Sequence, residues 1–190
     1  MSDLNRRTVL MGAGVLAGLA GSALGLSAAA YSDPGPGQDV DLALLRRTFV
    51  LADDARRAGG APYGALVADA AGNVVAEHGN TGGDPTQHAE LAAAAAAWQT
   101  LDYPGMNHAT LYASTEPCSM CAGAAYWTGI GRVVYGMSNQ RLFEFTGDQP
   151  GRTSFALPCR DILTHGSRPV TVVGPLLEDE AARSHVGYWH

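Results

Sequence analysis

The sequence predicts an α/β fold, a three-layer α/β/α sandwich on a mixed sheet of about five strands. Two observations carry that expectation. From residue 86 onward helical and strand patterns alternate, which favours parallel pairing with helices on both faces of the sheet. Ahead of them, Ala65–Ala68 and Val74–Glu77 read as two strands joined by Asp69-Ala70-Ala71-Gly72-Asn73, a hairpin-like turn that adds an antiparallel pair.

Each element has a local reason. Asp39 or Asp41 caps a helix running to about Ala58, with Leu42, Leu45, Phe49 and Ala52 on one face. After the hairpin, a helix is expected over about Thr86–Thr100, where small alanines suit close packing on a sheet. Asp84 would cap it, Pro85 would take its first position, and Gln87 would complete a capping-box-like arrangement. Thr110–Ala113 reads as a short strand, Cys118–Thr128 as a helix begun by Pro117, Arg132–Gly136 as a strand and Val170–Val173 as a fifth. A last helix covers roughly Leu176–His185, followed by the aromatic tail Tyr188-Trp189-His190. No internal repeat is visible.

Residues 1–30 read as an export signal of the twin-arginine type. Arg6-Arg7 precede Val9-Leu10, no charge follows until Asp33, and Ala28-Ala29-Ala30 offers a small-residue cleavage site. Gly12, Gly14, Gly18, Gly21 and Gly25 make the apolar run a poor permanent membrane helix, so no stable membrane association is expected once the signal is cut. An uncleaved N-terminal anchor is the other reading. Residues 31–38, with Pro34-Gly35-Pro36-Gly37, form a turn-rich linker, and 39–190 form the domain. The expected location is periplasmic or extracellular.

The formal net charge is −6, and all 12 basic residues are arginine. An acidic chain without a clustered basic face argues against a nucleic-acid partner. The arginine pairs at 46–47 and 56–57 read as a solvated helix face. Cys159 has no partner in the sequence and reads as a buried small hydrophobe.

Two stretches carry chemistry: Asp84-Pro85-Thr86-Gln87-His88-Ala89-Glu90 and Thr115-Glu116-Pro117-Cys118-Ser119-Met120-Cys121. Cys118 and Cys121, at i and i+3, can grip one ion, and His88 supplies a third donor. Three protein ligands on Zn2+ leave a fourth position for water, the mark of a catalytic rather than a closed structural site. A closed site would need a fourth ligand, and none of His78, His108, His165 and His185 stands at ligand spacing from the cysteines. Placing the ligands at helix starts favours thiolate and other anionic species. Glu90 lies about 200° round an ideal helix from His88 and would have to reach round to the water as general base. Zinc lowers the pKa of a bound water from about 15.7 to about 7, worth roughly 12 kcal/mol towards hydroxide at neutral pH.

His-x-Glu paired with Pro-Cys-x-x-Cys is the signature of the zinc deaminases. At these residues the chain resembles the cytidine deaminase-like superfamily, and within it the branch of bacterial guanine deaminases and tRNA adenosine deaminases. The resemblance runs over about residues 40–140, through Gly59–Leu66, Asp84–Glu90, Leu111–Ala124 and Gly131–Gly136. It implies a zinc-dependent enzyme with Glu90 catalytic and His88, Cys118 and Cys121 on the metal. It also implies that Asn80 hydrogen-bonds a substrate base and that the Ala89 and Cys118 backbone amides help bind the oxygen being formed. Tyr63, in the first matched stretch, joins the candidate substrate contacts. Trp189 could close the pocket as a lid, and a plain packing role fits it equally well. Asn80, in Gly79-Asn80-Thr81-Gly82, is also a natural turn residue.

By this resemblance the chain removes ammonia hydrolytically from a small free nucleobase or nucleoside with a guanine-like, adenine-like or cytosine-like ring, and forms a homodimer. Alternatives are tRNA adenosine-to-inosine deamination, an exported toxin acting on nucleic acid, and a non-catalytic zinc-binding module. The chain departs from the guanine deaminases in two places. Its loop from Asn80 to His88 is shorter, and after Gly136, where those enzymes set an acidic residue against the purine, it reads Met137-Ser138-Asn139-Gln140-Arg141.

Overall fold

In the computed structural model, residues 35–147, 155 and 157–189 are described. The expected export signal and the first half of the linker lie outside them. The elements run α1 (Gln38–Arg57), β1 (Gly64–Ala68), β2 (Val74–Gly79), α2 (Ala89–Trp98), α3 (Tyr103–Asn107), β3 (Thr110–Thr115), α4 (Ser119–Trp127), β4 (Arg132–Met137), α5 (Asn139–Thr146), α6 (Cys159–Thr164), β5 (Thr171–Val173) and α7 (Glu178–Ala182), followed by a 3-10 turn at Arg183–His185.

The five strands form one mixed sheet in the order β2-β1-β3-β4-β5. β1 pairs antiparallel with both β2 and β3, while β3, β4 and β5 run parallel. Every residue of β1, β3 and β4 is buried, as expected of strands covered on both faces. Alternate side chains divide between two cores. Ala65, Val67, Leu111, Ala113, Val133 and Tyr135 meet α2, α4 and α6. Leu66, Ala68, Tyr112 and Val134 meet Leu45 and Phe49 of α1 and Ala181 of α7. The result is the expected three-layer sandwich, and alanines at 89, 93, 94 and 97 let α2 lie close to the sheet.

The second core contains a buried ion pair. Arg132 donates from Nη1 to Asp41 Oδ1 at 2.7 Å and from Nη2 to Oδ2 at 2.5 Å, and the Tyr112 hydroxyl donates to Asp41 at 2.7 Å. Asp41 therefore ties α1 to the sheet from inside its first turn.

Several boundaries differ from expectation. α1 has no side-chain cap, because Asp39 and Asp41 lie within its first turn. The second helix starts at Ala89, not Thr86, since Asp84 is spent on a turn. Its carboxylate accepts the Thr86 N–H at 2.8 Å and the Thr86 hydroxyl at 2.7 Å, and its carbonyl accepts the Gln87 N–H. The capping box does not form. The last helix starts at Glu178, after Leu177 takes a left-handed conformation at φ 53°. Three short helices, α3, α5 and α6, were not anticipated. Among the described residues no helix is long and apolar enough to cross a membrane.

Candidate active site

His88, Cys118 and Cys121 come together, with their donor atoms all within 4.8 Å of one another. His88 is the N-cap of α2 and Cys118 the N-cap of α4, both in extended backbone conformation (ψ 150° and 174°). Cys118 therefore stands just outside α4 and Cys121 in its first turn. Both ligand candidates thus stand at helix starts, where the first N–H groups have no partner within the helix.

His88 Nδ1 lies 3.5 Å from each sulfur. A tetrahedral zinc with Zn–S about 2.3 Å and Zn–N about 2.0 Å would separate nitrogen and sulfur by about 3.5 Å. The spacing and the donor set thus fit zinc. None of His78, His108, His165 and His185 joins the group among the described residues, where the cluster offers three donors.

Charge is distributed unevenly over these groups. The hydrogen bond from the Cys121 thiol, then those from His88 and the Cys121 backbone, hold Cys118 down to about 4. Cys121, facing that sulfur and buried, is pushed strongly up. The bond to Cys118 raises His88. Zinc binding needs deprotonated thiols, and Cys118 is already held toward the thiolate.

Glu90 is 6% exposed in the first turn of α2, and it hydrogen-bonds the Cys121 thiol. Burial raises its pKa from 4.5 to about 7, the range suited to moving a proton near neutrality. The 200° separation from His88 does not arise, because His88 lies outside the helix. Both side chains reach the cysteine pair.

Tyr63 lies parallel to the His88 ring, centroids 6.5 Å apart and 14° between planes. Trp189 packs against Tyr63 at 6.1 Å. Asn80 follows β2; its Oδ1 accepts the Gly82 N–H at 2.9 Å, and its Nδ2 donates to the Gln87 carbonyl at 3.4 Å. It forms the turn its sequence suggested and ties that turn to the residue before His88. Ala89 opens α2, directly after His88, where its N–H has no acceptor within the helix.

Sequence reasoning passed over two buried groups beside the site. Glu116, 7% exposed, accepts the Asn139 N–H through Oε2 and the Cys159 N–H through Oε1, both at 3.0 Å, joining the starts of α5 and α6 to the loop before Cys118. Its place just before Pro117 was the available signal. His185 is 1% exposed and contacts Thr115 and Trp189; nothing in its sequence neighbourhood marks it. Cys159 is buried as expected.

Residues 38–137 match the family described as the cytidine and deoxycytidylate deaminase zinc-binding region. A probable cytosine deaminase of Schizosaccharomyces pombe is 41% identical over 151 residues, covering 78% of this chain and 92% of that protein. The guanine deaminase of Bacillus subtilis is 40% identical over 95 residues, 48% of this chain and 60% of its own length. The solved guanine deaminase of Nitrosomonas europaea superposes with a TM-score of 0.61 at 25% identity, over 75% of this chain and 81% of that one. With the donor set, the buried carboxylate and the sheet order in place, the chain belongs to the zinc-binding cytidine and deoxycytidylate deaminase family and is a hydrolytic deaminase.

Proposed function

We propose that this enzyme deaminates a free nucleobase, with a cytosine-type ring as first choice and zinc as its metal. The observation that carries the reading is the convergence of Glu90 on the His88, Cys118 and Cys121 cluster beneath an aromatic wall of Tyr63 and Trp189. The near-full-length likeness to a probable cytosine deaminase favours the pyrimidine. So do the short Asn80–His88 loop and the lack of an acidic residue in register after Gly136.

Zinc, when bound, supplies a Lewis acid that makes hydroxide available at neutral pH. The chain's own residues do the rest. Glu90 accepts a proton from the attacking water, passes it to the ring nitrogen and serves the departing amine, so that water and the aminated ring become the oxo ring and ammonia. The free N–H groups of Ala89 and Cys118, at the two helix starts, face the oxygen as negative charge develops there. Tyr63 and Trp189 hold the flat ring by its faces. A guanine-type ring is the second reading, favoured by the guanine deaminases among the relatives. The acidic balance sets tRNA below both.

Ammonia release from zinc-loaded protein tests this across cytosine, guanine, adenine, their nucleosides and a tRNA anticodon stem. Turnover of cytosine with the RNA silent is expected; turnover of the RNA alone overturns the reading. The same proposal takes the enzyme as an exported homodimer, supported by Arg6-Arg7 and Ala28-Ala29-Ala30 for export and by the family habit for the dimer. N-terminal sequencing of exported material and light scattering check those two points.

A further inference from the structure

The ring of His185 is bonded at both ends. Trp189 Nε1 donates to its Nδ1 at 3.1 Å, and its Nε2 faces the Thr115 hydroxyl at 3.5 Å. Nδ1 accepts only when it carries no proton, so the proton of this neutral imidazole sits on Nε2 and points to the threonine. Burial, then the nearby Arg56, hold the ring down to about 4, so it is neutral at working pH.

The backbone on either side of His185 is pinned to α1. Arg56 Nη1 donates to the Ser184 carbonyl at 2.9 Å and to the Val186 carbonyl at 2.8 Å, and the Ser184 hydroxyl donates to Asp53 at 2.6 Å. The Arg56 guanidinium also lies 5.8 Å over the Tyr188 ring. With the chain so anchored, the indole of Trp189 lies nearly parallel to the His185 ring, centroids 5.8 Å apart and 17° between planes. It also meets Tyr63, the residue lying parallel to His88. The Trp189 N–H is spent on His185, so the indole offers the site only its carbon face and edge.

We propose that His185 is a positioning residue: its Nδ1 fixes Trp189 as the closing wall of the ring pocket, so a side chain that need not touch substrate sets the affinity for a flat heterocycle. This rests on the reading that a planar base binds at the His88 cluster. In that arrangement His185 acts on binding of the ring and not on proton transfer, which belongs to Glu90.

The full-length, zinc-loaded enzyme tests this with three substitutions. His185→Phe keeps a ring but removes the acceptor, His185→Gln moves the amide away from the Nδ1 position, and His185→Asn places an oxygen close to it. KM for the preferred base should rise about tenfold in H185F and H185Q, the equivalent of one lost hydrogen bond. Over the same variants kcat should move by less than about threefold and zinc content should not change, while H185N stays near wild type. The Trp189 indole N–H resonance, assigned by its loss in W189F, should shift in H185F and H185Q and hold its place in H185N. If H185F does not fold, H185Q carries the same contrast. An unchanged KM in both, or a fall confined to kcat, overturns the proposal. If wild type turns over no base at all, the substrate reading fails instead, and the indole resonance still decides whether His185 holds Trp189.

Discussion

Replacing Glu90 with Gln should have opposite effects on activity and stability, and both follow from burial. Glu90 is 6% exposed, and burial raises its pKa from 4.5 to about 7. The folded metal-free chain therefore holds this proton more tightly than the unfolded chain does. The resulting penalty is absent below about pH 4.5, grows as the pH rises, and is complete above about pH 7. At about 1.4 kcal/mol per pKa unit it reaches up to about 3 kcal/mol. The amide has the same shape and no charge to desolvate. Metal-free E90Q should thus be more stable than wild type by about 2–3 kcal/mol at pH 8 and by nearly nothing at pH 4.5, measured by urea unfolding at both. The amide cannot carry a proton between water and ring, so kcat should fall by about 10²- to 10⁴-fold with zinc still bound. Ammonia release and metal analysis on one preparation read both. If turnover survives in zinc-loaded E90Q, Glu90 is not the proton carrier. If the variant is not stabilised at pH 8, the carboxyl is not desolvated as described.

Cys121→Ser should leave the sheet intact by circular dichroism while zinc affinity falls by more than about 100-fold, beyond the loss usual for a group that merely supports a ligand; retention of one zinc per chain would remove Cys121 from the ligand set. Asp41→Asn leaves the Arg132 guanidinium uncompensated inside the second core, where the two side chains are 6% and 7% exposed. The loss should be about 3–5 kcal/mol in urea unfolding at pH 7, with a loss below about 1 kcal/mol refuting it.

The sheet was legible because its strands are short apolar runs with helical patterns between them, and each of the five is present within a residue or two of its expected bounds. The missed helices are each eight residues or fewer, too short for a helical period to emerge. Asp102 capping Gly105 and Ser138 capping Arg141 were the local signs they did offer. The error at α2 has a different origin. Asp84-Pro85 is a sound helix start in isolation, but the Asp84 carboxylate closes a turn on Thr86 first. The His88, Cys118 and Cys121 cluster was legible because its two motifs match a known family pattern, and the fold does bring the three donors together. His185 was not, because its role depends on contacts with Thr115, Tyr63 and Trp189, which meet it only through the fold.

That early turn is what lets the site assemble. Inside a helix, successive side chains diverge by about 100°, so residues at i and i+2 point to nearly opposite sides. Had α2 begun at Thr86, His88 and Glu90 could not have served one pocket without distorting the helix. The turn at Asp84–Gln87 instead delivers His88 in extended conformation at the N-cap, and Glu90 follows from the first turn. Cys118 uses the same device at the start of α4. Each helix thus contributes one group from outside its spiral and one from within, with free N–H groups beside both. The same geometry keeps a carboxylate and a thiolate together in a buried site: the amides of two helix starts offset part of the desolvation, and packed layers on both faces of the sheet supply the stability that this arrangement costs.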